Sequence, residues 1–353
     1  MQPQTIQVST PIAPALIDYI AELNADKVFV LVDSNTRMHC WPLLEEALTR
    51  FMPVVIEVPS GEESKTIETT VSIWHELVVR GATRHSLMLN MGGGVITDMG
   101  GFAAATYKRG IRCINIPTTL LAAVDASVGG KTGVDFDGFK NEIGSFYPAV
   151  GVFVDTAFFK TLGGDNLISG YAEMLKHSLL ESDSCWIQHL EFDFDTLNYT
   201  LLNAMVSDSI QIKRKVVEQD PYEKGLRKAL NLGHTIGHAF ESMALEKGSP
   251  VLHGYAVAWG MVCELYLSVR ACGFPEEKLT RTTRFIIEHY GPFAFERSDY
   301  ESLYLKMTHD KKNRGSEISF TLLADIGDVA IDQTLTKECV FEAFDYLRAV
   351  EPQ

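Results

Sequence analysis

The sequence has no CxxC pair, no uninterrupted apolar run near the ~20 residues that span a bilayer, and no surplus of positive charge. Each absence removes a class of protein. Six cysteines (Cys40, Cys113, Cys185, Cys263, Cys272, Cys339) are scattered, several of them in apolar surroundings. That pattern fits buried thiols in a reducing compartment rather than a disulfide frame. The formal net charge of −15 argues against a nucleic-acid or anionic-membrane partner. An anionic small molecule stays open, because a site needs only a local cluster of cations. The opening residues MQPQTIQVST lack a basic segment followed by an apolar core, so no secretory signal is expected and the expected location is cytoplasmic. At 353 residues, two domains with separate cores are expected.

The first half alternates strand-like and helix-like patterns. Lys27 to Val32 is a β-branched apolar run that ends at Asp33-Ser34-Asn35, a natural turn or helix cap. Met52 to Val58 reads as a second strand, Ile67 to Arg80 as a helix, Ser86 to Met91 as a strand running into Gly92-Gly93-Gly94, and Cys113 to Ile116 as a strand stopped by Pro117. Strands alternating with helices imply a Rossmann-like parallel sheet with helical crossovers. After about Thr161 long helical patterns dominate (Gly170 to Leu180, Leu201 to Val217, Leu230 to Ala244, Gly254 to Ala271, Lys278 to Tyr290). The expected architecture is an α/β nucleotide-binding domain over residues 1–160 and an all-α domain over 161–353, with chemistry in the crevice between them.

The segment Arg227 to Met261 is the densest in chemistry. It holds His234, His238 and His253, three of the ten histidines, beside Arg227 and Asn231. His234 and His238 are four apart and share a helix face. His253 follows a Gly-Ser-Pro turn and could fold back onto that face. Imidazole suits Zn²⁺, and a catalytic zinc takes about three protein ligands and keeps one position open. Two histidines packed on a helix are the plain alternative. Glu173, three residues before Lys176 on a helical, largely apolar stretch, is the best candidate for an oxygen ligand; an exposed ion pair is its alternative.

Gly92-Gly93-Gly94-Val95-Ile96-Thr97-Asp98 follows a strand and precedes a helix, where backbone N–H groups can approach a pyrophosphate. Its spacing is not GxGxxG, and a tight turn reads equally well. Pro117-Thr118-Thr119 offers two hydroxyls after a strand, for ribose or amide contacts or for a helix cap. Asp125 lies on the short helical stretch that follows. Gly129-Gly130-Lys131-Thr132-Gly133 resembles part of a phosphate loop without the upstream glycine, and Gly138-Phe139-Lys140-Asn141 poises a second lysine beside glycine. With Arg109 upstream, these lysines suggest an anion site. Lys213 and Arg227 flank the Asp220-Pro221 turn, and Asp310-Lys311-Lys312-Asn313 adds a late cationic pair before the strand-like Ile318 to Leu323.

In order, the motifs are GEESK at Gly61, GGGVITD at Gly92, YKRG at Tyr107, PTTLLA at Pro117, VGGKTG at Val128, FKNEIGSF at Phe139, YAEMLKH at Tyr171, LRKALNLGHTIGHAFE at Leu226, LHGYAV at Leu252 and DKKN at Asp310. Collinear over nearly the whole chain, they resemble 3-dehydroquinate synthase, of the sugar phosphate cyclase superfamily. The resemblance implies zinc, with cobalt as an alternative, held by Glu173, His234 and His253, and makes His238 an acid/base group on the substrate side. It implies NAD contacts at Asp33, Asn35, Glu62, Lys65, Gly93, Gly94, Val95, Asp98, Thr118 and Thr119, with Lys140, Thr161 and Leu162 as further contacts. Substrate contacts map onto Asp125, Lys131, Asn141, Lys176, Lys213, Arg227, Asn231 and the Lys311-Lys312 pair, with Lys311 favoured. Arg109 matches the arginine that reaches a neighbouring subunit's phosphate pocket, which implies a homodimer.

The implied reaction turns 3-deoxy-D-arabino-heptulosonate 7-phosphate into 3-dehydroquinate and phosphate, in the shikimate route to aromatic amino acids. Several cations must neutralise the substrate's carboxylate and phosphate, which accounts for the lysines and arginines of an acidic chain. Two positions depart from the family pattern: Tyr255 stands where an acidic residue is common after His253-Gly254, and Pro221 where Glu is common after Asp220. The metal's outer shell is where such changes would act. Competing readings are a cyclase for another sugar phosphate, a metal-dependent polyol dehydrogenase that would reduce NAD⁺ outright, and a non-catalytic NAD-binding protein. Retention of Lys213, Arg227, Asn231 and Lys311-Lys312 favours the dehydroquinate branch.

Overall fold

The computed structural model describes residues 4–137, 139–308 and 318–350. The elements run β1 (Thr5–Val8), α1 (Ala13–Leu23), β2 (Val28–Asp33), α2 (Ser34–His39), α3 (Pro42–Leu48), β3 (Val54–Val58), α4 (Ile67–Val79), β4 (Leu87–Gly92), α5 (Gly94–Thr106), β5 (Arg112–Pro117), β6 (Lys131–Phe136), β7 (Phe139–Phe146) and β8 (Gly151–Val154). There follow α6 (Gly164–Glu181), α7 (Asp183–Leu190), α8 (Tyr199–Gln219), α9 (His234–Glu246), α10 (His253–Cys272), α11 (Glu276–Tyr290), α12 (Tyr300–Thr308), β9 (Phe320–Asp325), β10 (Asp328–Gln333) and α13 (Lys337–Ala349). Two compact units emerge, Met1–Leu167 with Asn198–Arg214, and Ile168–Leu197 with Lys215–Gln353. The sequence break expected near Thr161 thus meets a division at Leu167, and the segment 198–214 returns to the first unit.

The first unit is built on a six-stranded parallel sheet, ordered β1-β8-β5-β4-β2-β3. The run VFVLVD of β2 is buried on both faces, as a central parallel strand with helices on either side requires. Helix α4 starts where the Thr66 hydroxyl accepts the Thr69 N–H, and it buries Thr70, Ile73 and Leu77 at helical spacing. Ile73 and Leu77 join Phe29, Leu31, Ile56, Met88 and Ile96 in the core. The chain winds from β2 to β3 in one direction and then crosses back past β2 to β4. The strand order therefore reverses between the carboxyl ends of β2 and β4, where open parallel sheets bind ligands.

Glycines let α5 lie close to this sheet at Gly100 and to β6 at Gly101. A Cβ on Gly100 would meet the Asn90 side chain at 2.3 Å, and one on Gly101 would meet Thr132 at 2.5 Å. The segment read as a partial phosphate loop is instead the start of an antiparallel hairpin, β6 with β7, registered Lys131↔Phe146 and Phe136↔Phe139. Its Gly133 and Gly144 face one another so closely that a Cβ on Gly144 would meet the Thr132 carbonyl at 2.2 Å.

Among its described residues the second unit is helical, with one antiparallel ribbon, β9-β10, as its exception; this falls on the strand-like stretch from Ile318. Helix α10 is its central rod. It is buried along almost its whole length, from Gly254 through Ser268, and so reads as apolar all round. Among the described residues no helix is long and apolar enough to cross a membrane. The six cysteines are free thiols, with Cys40, Cys113 and Cys263 buried.

Candidate active site

In the helical unit, α6 supplies Glu173 and Lys176, the first turns of α9 supply His234 and His238, and α10 opens with His253. The start of α10 approaches α6 without clearance. A Cβ on Gly254 would meet the Ser169 carbonyl at 1.8 Å, and the Gly254 N–H donates to the Ser169 hydroxyl at 3.1 Å. Only glycine fits there, and its absent side chain lets His253 sit against α6. The result is a trio: His234 Nε2 lies 3.4 Å and His253 Nε2 3.7 Å from Oε1 of Glu173, itself fully buried. Among the described residues that buried Oε1 has no hydrogen-bond partner, while Oε2 accepts from the Lys176 ammonium. The ligand atoms of Glu173, His234 and His253 lie within 4.8 Å of one another.

The far ring nitrogens are also engaged. His234 Nδ1 is 3.1 Å from the Leu232 carbonyl, and His253 Nδ1 is 3.3 Å from Oε2 of Glu241. Each contact favours the proton on Nδ1 and leaves Nε2 facing Glu173, the arrangement metal-bound histidines adopt. A carboxylate oxygen and two imidazole nitrogens around an unpartnered buried atom fit a divalent metal of the zinc type. A second trio, His238, Glu241 and His253, shares His253 with the first. The His238 ring is 5.3 Å from that of His234 and 5.8 Å from that of His253, so His238 stands beside the Glu173 trio.

The electrostatics agree with this chemistry. Burial would raise the Glu173 carboxyl, but Lys176 and His234 hold it well below the usual carboxylate range. Burial, aided by the Lys176 charge, pushes His234 down to about 3, which keeps it neutral and able to ligate. Burial opposes the charge on His253 as well, yet the neighbouring Glu173 and Glu241 carboxylates raise it to about 10.

Arg227 and Asn231 lie just before α9, on the 3-10 turn Leu226–Asn231. Asp220 organises the approach to it by accepting N–H bonds from Lys224, Gly225 and Arg227. Arg227 is buried and donates to the Pro221 carbonyl at 2.7 Å, and Asn231 donates to Glu223 at 2.9 Å. Tyr255, the departure after His253-Gly254, packs edge-on against Trp259 and Tyr290. Lys311 and Lys312 lie outside the described residues.

In the sheet-bearing unit, the expected nucleotide contacts collect at the carboxyl ends of β2, β4 and β5. Asp33 ends β2 and caps α2, accepting the Thr36 N–H at 2.7 Å, with exposed Asn35 in the next turn. Gly93 is the side-chain-free cap of α5, followed by Gly94 and Val95, so the amides opening that helix face no cap of their own. A Cβ on Gly93 would meet Thr119 at 3.2 Å, which places Thr119 beside the glycine turn. Thr118 and Thr161 both reach the Cys40 thiol, close to Asp33. Leu162 ends the 3-10 turn Thr156–Thr161. Lys65 pairs with Asp98 at 2.8 Å, and Glu62 adds negative charge to the Lys65 ammonium, which stays above its usual range despite burial.

Among the expected substrate contacts of this unit, Lys213 pairs with Asp125 and also donates to its carbonyl at 2.5 Å. Lys131, Lys140 and Asn141 are exposed on the hairpin, where Asp135 accepts the Asn141 N–H at 2.8 Å. Arg109 is exposed on the turn Tyr107–Arg109, where both it and Lys108 have positive φ, 68° and 49°.

Family models for the 3-dehydroquinate synthase N-terminal and C-terminal regions match residues 55–169 and 170–313. A 3-dehydroquinate synthase of Parabacteroides distasonis is 51% identical over 348 residues, covering 99% of each chain. The chain belongs to the 3-dehydroquinate synthase family. A family member from Leptospira interrogans is 40% identical over 332 residues, covering 93% of this chain and 91% of that one. Among solved structures, a 2-deoxy-scyllo-inosose synthase complexed with carbaglucose-6-phosphate, NAD⁺ and Co²⁺ superposes with a TM-score of 0.83 at 26% identity, covering 97% of this chain and 96% of that one. A 2-epi-5-epi-valiolone synthase from Streptomyces hygroscopicus with NAD⁺ and Zn²⁺ bound gives 0.83 at 26%, covering 99% and 97%. An iron-containing alcohol dehydrogenase shares the fold at 16% identity, with a TM-score of 0.67 and 99% of each chain covered.

Sequence reasoning missed Glu241, Asp220 and Ser169. Glu241 had a local signal, three residues after His238 on the same helix. Ser169 had none.

Proposed function

We propose that this chain performs its family's reaction, converting 3-deoxy-D-arabino-heptulosonate 7-phosphate to 3-dehydroquinate and phosphate, as an NAD- and metal-dependent carbon–oxygen lyase. The observation that carries the reading is the buried, unpartnered Oε1 of Glu173 facing the Nε2 atoms of His234 and His253, in a chain 51% identical to a 3-dehydroquinate synthase. Glu173, His234 and His253 hold the metal, zinc by the donor set, with cobalt able to replace it. The nucleotide lies along Asp33, Asn35, Glu62, Lys65, Gly93, Gly94, Val95, Asp98, Thr118 and Thr119, extended by Lys140, Thr161 and Leu162, so that the pyrophosphate meets the open amides of α5. When bound, NAD⁺ supplies transient hydride acceptance and return, and the metal supplies Lewis-acid polarisation of a substrate hydroxyl.

The chain's own groups do the rest. Lys131, Lys213, Arg227 and Lys311, with Asn141 and Asn231, neutralise and orient the substrate's carboxylate and phosphate. Phosphate leaves by elimination: the proton at C6 passes to the departing phosphate, the electrons of that C–H bond form the C6–C7 double bond, and the C7–O electron pair leaves with the phosphate. His238 exchanges a proton with the substrate, and Lys176 holds the reacting hydroxyl beside Glu173. Ring opening and intramolecular aldol closure then complete the carbocycle, with no net redox change. Asp125 holds Lys213 in place. The residues from 1 to 160 serve chiefly the nucleotide, and those from 161 to 353 chiefly the metal and the substrate. The protein works in the cytoplasm as a homodimer, Arg109 of each subunit completing the phosphate pocket of the other.

The test is an assay with purified protein, catalytic NAD⁺, zinc and 3-deoxy-D-arabino-heptulosonate 7-phosphate, following phosphate and 3-dehydroquinate together. Equimolar release without net NADH, lost in His253→Ala, is the expected result. No turnover by a protein that binds NAD⁺ and metal would overturn the substrate assignment, and an inosose or valiolone product from another sugar phosphate would replace it.

A further inference from the structure

Helix α9 begins without a cap of its own. Gly233, the residue before His234, has φ +80° and no side chain, and none could be added: a Cβ would meet Met261 at 2.5 Å and the Val257 carbonyl at 2.8 Å. The crowding comes from α10, whose Gly260 comes so close that a Cβ on it would meet the Gly233 carbonyl at 2.0 Å. One turn further along α10 stands Glu264, fully buried. Its Oε2 accepts the Gly233 N–H at 2.6 Å and its Oε1 accepts the Ile236 N–H at 3.1 Å. One carboxylate from a neighbouring helix therefore makes both bonds that a capping box divides between two side chains, and its negative charge sits at the positive end of α9.

The two clamped amides bracket His234. Between them they fix the backbone from which that imidazole projects, while Leu232, one residue upstream of Gly233, provides the carbonyl that meets its Nδ1 at 3.1 Å. Glu264 touches neither the imidazole nor Glu173 in any contact described above; it sets the frame that carries the ligand. We infer that Glu264 is a positioning residue for the metal centre, acting through the start of α9 to aim His234 Nε2 at the ion. The inference rests on the metal reading proposed above. Ser268, one turn beyond Glu264, ties α10 to β9 by accepting the Leu323 N–H at 3.0 Å and donating to the Glu264 carbonyl at 2.7 Å, without reaching α9 in those bonds. It serves as a stability control.

The experiment is a Co²⁺ titration of metal-free protein followed by visible ligand-field absorption, with thermal melting of the same samples, on wild type, Glu264→Ala, Glu264→Gln and Ser268→Ala. Glu264→Ala is expected to bind Co²⁺ about 10- to 100-fold more weakly, the range for lost outer-shell support, with altered bands. Glu264→Gln, keeping one acceptor oxygen, should fall between it and wild type. Ser268→Ala should melt earlier yet keep wild-type affinity and bands. A folded Glu264→Ala with wild-type affinity and spectrum overturns the inference, as does a Ser268→Ala defect of equal size. Should Glu264→Ala fail to fold, wild-type binding by Glu264→Gln overturns it equally. Absence of Co²⁺ uptake by the wild type would instead remove the metal reading, and the inference with it.

Discussion

In the sheet-bearing unit, Asn35, Glu62, Arg109, Lys131, Lys140 and Asn141 are exposed on turns and a hairpin, and the glycine turn after β4 offers backbone amides. In the helical unit, Glu173, Lys176 and Arg227 are buried, Lys176 pairing with Glu173 and Arg227 donating to the Pro221 carbonyl. Solvated residues can wait for a charged ligand at little cost, because water compensates them until it arrives. Buried charges must be neutralised before any ligand binds. Hence in the helical site Lys176 pairs with Glu173 and His253 lies between two carboxylates, whereas much of the sheet unit's cationic equipment faces solvent.

The largest effect should come from the buried trio. Chelating the metal, or changing Glu173 to Gln, should lower turnover by more than about 1,000-fold, roughly 4 kcal/mol at the barrier; adding back Zn²⁺ or Co²⁺ should restore the chelated wild type only. Steady-state assays on both samples check this, and retained turnover would break the contrast at its root. Next, Lys176→Met should destabilise the metal-free protein by about 3–5 kcal/mol in urea, since it strands a buried carboxylate. Lys65→Met should cost less, about 1–3 kcal/mol, because the Asp98 side chain keeps 18% of its exposure to water. Equal losses would erase the distinction between the two units.

Glycine substitutions sharpen it further. Gly260→Ala forces α10 off α9 and should cost about 1–3 kcal/mol. Gly93→Ala, whose Cβ meets only the Thr119 side chain at 3.2 Å, should leave stability nearly unchanged while weakening NAD⁺ binding, read by calorimetry. The smallest effect concerns thiols. Burial pushes Cys40 up to about 11 and Cys113 up to about 12, so at pH 8 only about one in a thousand Cys40 thiols and one in ten thousand Cys113 thiols is ionised. Because alkylation needs the thiolate, its rate should rise with pH, Cys40 ahead of Cys113. Mass spectrometry after iodoacetamide treatment of native protein at pH 8 should find both unmodified.

The sequence alone determined the parallel alternation of the first half, since strands such as β2 carry their β-branched run locally and α4 its apolar spacing. It also determined the glycine turn after β4 and the histidine segment, because short-range sterics and helix period act within a few residues. The hairpin β6-β7 was not legible: Gly129-Gly130-Lys131-Thr132-Gly133 suits a phosphate loop and a tight strand pair equally, and pairing with β7 decides between them. Tertiary structure alone showed that His253 hydrogen-bonds Glu241, that Gly254 exists to admit Ser169, and that Glu264 caps a helix it does not belong to. The physical reason is the same in each case: local pattern fixes which residues share a face, but the partner of a buried charge or amide lies far along the chain, and only packing brings it there.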